Sequence, residues 1–222
     1  MSSDCVNKRL RVCFWYMIAT ISIADEQAFE KAFSVIQQGG TLVYPTETCY
    51  GLGCDARNTE AVDRVFRVKE RDPGKPVLII ASSVAMLMEY VEWNETIDDL
   101  ARTYWPGPLT LVSSLKNGNP RELAPGVIGV DDTVAFRVTS HPFAAKLAET
   151  LGAPIVSTSA NLSAHANPYD INYMINMFEG RDSVPDLIVD AGNLPHHSPS
   201  TIVKVDDDGT KTILRHGEII VE

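Results

Sequence analysis

Apolar positions along this chain alternate between helical and strand-like spacing, and each change of spacing marks an element boundary. In residues 25–38, Ala28, Phe29, Ala32, Phe33, Val35 and Ile36 recur at helical spacing. Ser22 or Asp25 is placed to cap that helix, and Gly39-Gly40 ends it. Residues 41–44 then form a short β-favouring run, which Pro45 stops or bends because it has no N–H for a sheet ladder. The polar stretch after it is broken by Gly51 and Gly53 and reads as a loop. Asn58 or Thr59 caps a second helix with Ala61, Val62, Val65 and Phe66 on its apolar face.

The same alternation continues to the end. Strands are predicted at 77–81, 109–115, 133–138, 154–156 and 187–189. Helices are predicted from Ser82 or Ser83 to 91, from about 96 to Trp105, over 143–151 with Gly152 as the stop, and over 171–178. Residues 116–129 read as loop. The chain closes with strands 201–205 and 210–214 around Asp206-Asp207-Asp208-Gly209, whose Asp-Gly step is a hairpin signal. Strands interleaved with helices make this an α/β chain with a mixed sheet, and no repeat or linker marks a second domain.

The first 24 residues stand apart. Lys8, Arg9 and Arg11 precede a largely apolar run over 12–23, which loosely resembles a signal peptide, but Thr20 and Ser22 interrupt it and the cleavage site is poor. Residues 12–17 read as a first strand or as a tail, with Met17 a second candidate start. The reading adopted is an uncleaved extension over 1–24 leading into a first strand, followed by one domain over 25–222.

Composition narrows the function classes. The 222 residues suffice for one well-packed domain, and 45% hydrophobic with 22% charged residues is ordinary for a globular protein. A net charge of −10 argues against coating nucleic acid with the whole surface, while leaving room for one basic face. Cys5, Cys13, Cys49 and Cys54 contain no C-x-x-C pair and read as free thiols of a reducing cytosol. No apolar run is long enough to span a bilayer. There is no Walker A sequence, no G-x-G-x-x-G, no G-x-S-x-G and no zinc-like ligand spacing; His196-His197 reads as an exposed loop pair.

Four stretches could carry chemistry, each following a strand or a helix end. Thr46, Glu47, Thr48 and Tyr50 lie beside glycines that let a ligand approach the backbone. Arg64, Arg67, Lys69, Arg71 and Lys75 form a basic run in an otherwise acidic chain, either for an anionic ligand or to complement a helix dipole. Lys69 and Arg71 sit at alternate positions, so an extended segment turns both to one side. Arg137 at a strand end could clamp a carboxylate, and His141 precedes a helix-starting Pro142. Ser157-Thr158-Ser159-Ala160-Asn161 offers hydroxyls and an amide for phosphate oxygens, or a capped turn. Loops that follow strands in an open α/β sheet can converge on one face.

These blocks together resemble a known family. Pro45-Thr46-Glu47-Thr48-x-Tyr50-Gly51-Leu52-Gly53, Lys69-x-Arg71, Trp105-Pro106-Gly107-Pro108-Leu109-Thr110, Arg137-x-x-x-His141-Pro142, Ser157-Thr158-Ser159-Ala160-Asn161, Pro199-Ser200-Thr201-Ile202-Val203 and Leu214-Arg215-x-Gly217 occur here in family order. The resemblance is to the YrdC/TsaC (RimN) family of threonylcarbamoyl-AMP synthases and covers residues 27–220. It implies a YrdC-like twisted mixed β-sheet flanked by helices, with an open positive cavity. The implied reaction joins L-threonine, bicarbonate and ATP into L-threonylcarbamoyladenylate and pyrophosphate. Separate tRNA-modifying partner proteins then transfer the threonylcarbamoyl group to an adenosine of ANN-decoding tRNAs in the cytoplasm.

Carried over by residue, Thr46, Arg137, Ser157 and Ser200 resemble the threonine contacts. Lys69, Arg71, Ser159, Asn161 and Arg215 resemble the ATP contacts, with Lys69, Arg71, Ser159 and Asn161 the catalytic set. Mg²⁺ is implied to travel with ATP and to need no dedicated protein cage. Two departures stand out. Many relatives have K-G-R-P and then a histidine at the end of the next strand; here Glu70 replaces the glycine, Asp72 precedes Pro73, and Ala81-Ser82 stands at the histidine's place. The close of the chain soon after Arg215 resembles the short single-domain form. Two alternatives accompany the synthase: a YciO-type member without this activity, and an RNA-binding or ribosome-maturation factor, for which −10 leaves only weak RNA binding.

Overall fold

The strands divide into two mixed sheets that meet along the chain at Ser157. The computed structural model describes residues 18–116, 118, 122–163 and 165–221. Cys5, Cys13, the choice between Met1 and Met17, and a strand or tail over 12–17 lie outside the described residues. The elements in order are β1 (Thr20–Ser22), α1 (Ala28–Gln37), β2 (Leu42–Pro45), β3 (Tyr50–Gly53), α2 (Thr59–Lys69), β4 (Ile79–Ala81), α3 (Val84–Leu87), α4 (Glu95–Tyr104) and β5 (Leu109–Ser114). They continue with β6 (Thr133–Val138), α5 (Pro142–Leu151), β7 (Ile155–Val156), β8 (Thr158–Ser159), α6 (Ile171–Phe178), β9 (Leu187–Asp190), β10 (Thr201–Val205) and β11 (Lys211–Arg215).

One sheet has the order β1-β9-β2-β3-β8 and the other β11-β10-β5-β6-β4-β7. The chain leaves the second sheet at β7, passes through Ser157 and enters the first at β8. Strand alternation decides what each face sees. On β2, Leu42 and Tyr44 pack with Ala28, Ala32 and Ile36 of α1 and Ala144, Leu147 and Ala148 of α5. Val43 between them faces the larger core, where Val65 and Phe66 of α2, Ile97 of α4 and Met174 and Phe178 of α6 meet. On β6, Val134, Phe136 and Val138 enter that larger core, which leaves Ala135 and Arg137 on the opposite face.

Several boundaries have a visible local cause. Asn58, Ser83, Asn94 and Asp170 each accept a main-chain N–H as helix caps. Gly152 closes α5 in the left-handed region at φ 65°. Two expectations are corrected. Asp25 accepts from the Gln27 N–H in a preceding turn, while the cap of α1 is Gln27, without a side-chain bond. Residues 46–49 form the expected turn, but from Tyr50 on the chain is a strand, not a loop: β3 pairs antiparallel with β2, Leu52 opposite Val43. Its glycines are there because neighbours are too close for side chains, not to break the strand. A Cβ on Gly53 would lie 1.9 Å from the Val156 carbonyl oxygen.

Candidate functional site

A cavity of about 250 Å³ lies between the β2–β3 hairpin with β8 on one side and, on the other, the face of β5, β6 and β10 turned away from the larger core. Thr46, Arg71, Arg137, Ser157, Ser159, Ser200 and Arg215 all line it, so stretches far apart in sequence converge as expected. Lys69 and Asn161 do not line it and sit behind its wall. Of the basic run, Arg71 is the member that reaches the cavity; Arg64 pairs with Asp186 at 2.6 Å on the far side of α2.

The hairpin tip is shaped by Thr46. Its hydroxyl donates to the Cys49 carbonyl at 2.6 Å and accepts the Thr48 N–H at 3.2 Å, which closes a hydroxyl-capped turn. Gly51 follows because a Cβ there would lie 3.1 Å from both Ser157 Oγ and Thr46 Cγ2. The backbone therefore stays bare where the hairpin faces Ser157.

Behind the opposite end of the wall lies Lys69, 2% exposed. It is the last residue of α2, and Glu70 after it takes the left-handed conformation at φ 49°. That turn sends Lys69 and Arg71 different ways, so the expectation of two cations on one side of an extended segment does not hold. Lys69 Nζ donates to the main-chain carbonyls of Ser159 and Asn161 and to Asn161 Oδ1. Asn161 Oδ1 also accepts from Ser159 Oγ at 2.6 Å, so one ammonium gathers the whole turn. Burial, with the charge of Arg71 adding to it, pushes Lys69 down to about 7.

Arg71 is half-buried and donates to the Lys75 and Pro76 carbonyls at 2.9 and 3.1 Å, so it holds its own loop in shape. Arg215 reaches from the edge strand β11 to the Ser200 carbonyl at 2.8 Å and hydroxyl at 3.0 Å. Thr110 Oγ1 donates to the same hydroxyl at 2.9 Å. Burial and then the charge of Arg137 push Arg215 down, and both guanidiniums line the same cavity. Arg137 is 4% exposed and lies 2.9 Å from the Glu47 carboxylate.

The lining contains Arg71, Arg137 and Arg215 and no Asp or Glu. Such a wall favours anions and leaves no carboxylate to hold a metal; among the described residues no cluster of three or more His, Cys, Asp or Glu could do so. The one thiol in the lining, Cys49, is pushed up to about 11 by burial and stays protonated. The arrangement can bind, orient and bear charge.

Sequence reasoning named Thr48 in a candidate stretch without giving it a role, and missed Cys49, Thr110 and Asn167 as lining residues. Thr48 and Thr110 lay inside matched blocks, so their blocks were the available signal. Asn167 sits in an irregular loop with no motif, positioned by the Tyr50 N–H bond to the Pro168 carbonyl at 3.0 Å.

Comparison with known proteins fits this geometry. The family model Sua5_yciO_yrdC, described as telomere recombination, matches residues 34–217. The chain belongs to this family. Over 181 residues it is 41% identical to the threonylcarbamoyl-AMP synthase of Thiobacillus denitrificans, covering 81% of this chain and 90% of that protein. The protein of the same name from Pseudoalteromonas translucida is 34% identical over 185 residues, 77% of this chain and 97% of the relative. Among solved structures, P. abyssi Sua5 complexed with L-threonine superposes with a TM-score of 0.77 at 33% identity. That match covers 90% of this chain and 57% of the Sua5 chain, so this chain spans a little over half of that relative. E. coli YciO superposes at 0.74 with 26% identity, covering 90% of this chain and 94% of YciO. No helix among the described residues is long and apolar enough to cross a membrane.

Proposed function

We propose that this chain is a threonylcarbamoyl-AMP synthase, forming L-threonylcarbamoyladenylate and pyrophosphate from L-threonine, bicarbonate and ATP. The observation that carries the reading is one cavity lined by Arg71, Arg137 and Arg215, interleaved with threonine and serine hydroxyls, in a chain 41% identical to a protein of that name. Three anionic groups must meet in this reaction: an amino-acid carboxylate, a carbamate and a polyphosphate. Three guanidiniums in a lining that contains no Asp or Glu, with Glu47 behind Arg137 the carboxylate paired to one of them, suit that charge.

In this reading Arg137 takes the threonine carboxylate, with Thr46, Ser157 and Ser200 around the amino acid. Arg71 and Arg215 hold the phosphates, Ser159 lies where the two substrates join, and Asn161 and Lys69 support it from behind. The threonine amine adds to bicarbonate, giving a carbamate and water. A carbamate oxygen then attacks the α-phosphorus, and the bond to the pyrophosphate oxygen breaks. Placement of the carbamate in line and cations on the leaving oxygens do the work, so no enzyme nucleophile is needed. Mg²⁺ would arrive with ATP and offset part of the phosphate charge, with no dedicated protein cage needed. A cytoplasmic setting and downstream proteins that pass the group to tRNA belong to the same reading.

The test is pyrophosphate release from MgATP with threonine and bicarbonate each present or omitted. Release that needs both is expected. Release indifferent to threonine, or none, would instead favour the YciO-type reading, which the match to E. coli YciO over 94% of its length keeps specific.

A further inference from the structure

Glu47 belongs to none of the roles above and does not line the cavity, yet it touches the residue on which threonine recognition rests. Its Oε1 lies 2.9 Å from Arg137 Nε, with side-chain exposures of 10% and 4%. Its Oε2 accepts from the Thr139 hydroxyl at 2.6 Å. Thr139 is itself fixed, its N–H on the Ala81 carbonyl at 3.2 Å and its hydroxyl accepting the His141 N–H at 3.2 Å. The carboxylate is therefore held from the far side by the strand end that also carries Arg137.

The contact is one of charge, not of a directed hydrogen bond. Although Nε and Oε1 are close, the N–H is not aimed at that oxygen, and both buried atoms lack a hydrogen-bond partner among the described residues. Glu47 thus offsets the cost of burying a guanidinium without using up its donors. Nε is itself buried against Glu47, so it is the terminal Nη groups, which hydrogen-bond to none of the described residues, that are kept for a planar anion arriving from the cavity.

We infer that Glu47 is a positioning residue: it anchors Arg137 in the orientation that takes the substrate's carboxylate and so sets discrimination for an α-carboxylate. Glu47 also sits at the β2–β3 tip while Arg137 is on β6, so their contact joins the two walls of the cavity at the amino-acid end. The inference rests on the reading that Arg137 receives the threonine carboxylate.

The test compares binding of L-threonine and of L-threoninamide, which lacks the carboxylate charge, to the full chain by calorimetry. Glu47→Gln keeps the shape and removes the charge. It is expected to weaken threonine about tenfold, which corresponds to ~1.4 kcal/mol, and to leave threoninamide within about twofold. KM for ATP is expected to stay within about twofold in the same variant. Thr139→Val, which removes the hydroxyl that holds Oε2, is expected to act in the same direction more weakly; it serves if Glu47→Gln does not fold. Equal losses for both ligands in these variants, or none for either, would overturn the inference. Arg137→Gln separates the two levels. If it keeps the preference for threonine, the underlying reading of Arg137 fails. If it abolishes the preference while Glu47→Gln and Thr139→Val retain it, the role of Glu47 alone fails.

Discussion

Lys69 Nζ donates to both oxygens of Asn161, the main-chain carbonyl at 2.7 Å and the side-chain amide at 3.1 Å. An ammonium closed in by oxygens yet pushed down to about 7 by burial and by Arg71 is poised to respond to arriving charge. With its pKa at about 7 the group is mostly a neutral amine at pH 8, left with two N–H donors for the three oxygens that the ammonium satisfies. Phosphate charge nearby favours the protonated form and raises its pKa, so MgATP binding should take up about one proton at pH 8. Below pH 7 the group is already charged, and uptake fades. Calorimetry in buffers of different ionisation enthalpy reads the proton directly. Lys69→Met should abolish the uptake; a wild-type protein that binds MgATP at pH 8 with no proton exchange would count against the coupling.

Arg71 lines the cavity and shapes its loop through the Lys75 and Pro76 carbonyls. Arg71→Ala should lower kcat/KM for ATP by about a hundredfold or more, the scale of losing one charge-bearing donor in a transition state. Its melting temperature should change little, because the bonds lost are at an exposed loop. Arg71→Lys should recover only part of the activity, since a point charge cannot replace a fork that spans two acceptors. Steady-state kinetics beside a thermal melt checks both; near-normal turnover in the alanine variant would defeat the assignment.

Gly53 offers a test of the strand that replaced the expected loop. Its missing Cβ would meet the Val156 carbonyl at 1.9 Å, so Gly53→Ala must push β3 off the neighbouring chain. The expected loss is about 3 kcal/mol or more, read by urea unfolding. Gly152→Ala is the control: φ is +65° but nothing lies within 4 Å, and the left-handed penalty of about 1 kcal/mol is all that should appear.

Glu70 occupies a left-handed position where the resemblance leads one to look for glycine, and it pairs with Arg181 at 2.7 Å. Glu70→Gly and Glu70→Ala both lose that exposed pair, so their difference isolates the backbone. Glu70→Gly should be the more stable by about 1 kcal/mol. Equal unfolding midpoints would mean that the turn does not depend on the left-handed residue.

Much of the architecture was legible because periodicity and punctuation agree locally: α6 and β6 fall at 171–178 and 133–138 as predicted, and Asn58, Ser83 and Gly152 mark their helix ends. What stayed hidden depends on contacts distant in sequence. Gly51 and Gly53 looked like strand breakers because the groups that crowd them, Ser157 Oγ and the Val156 carbonyl, are about a hundred residues away along the chain. For the same reason the split into two sheets, carried by the two-residue strands β7 and β8, leaves no periodic trace. Within the site, the cluster of Arg71, Arg137, Arg215 and hydroxyls followed from matched blocks, whereas the burial of Lys69 did not. A lysine at a helix end reads as solvated until the turn that wraps it is seen.

The passage of the chain through Ser157 has a mechanical consequence. Its N–H bonds to the Leu78 carbonyl at 2.9 Å beside one sheet, while its side chain faces the hairpin of the other. A ligand held by both walls acts as a strut across that seam, so its binding free energy adds to the cohesion between the sheets. Prying them apart would then be hardest when both substrates are aboard, and substrate occupancy would govern how long the folded chain survives heat or protease.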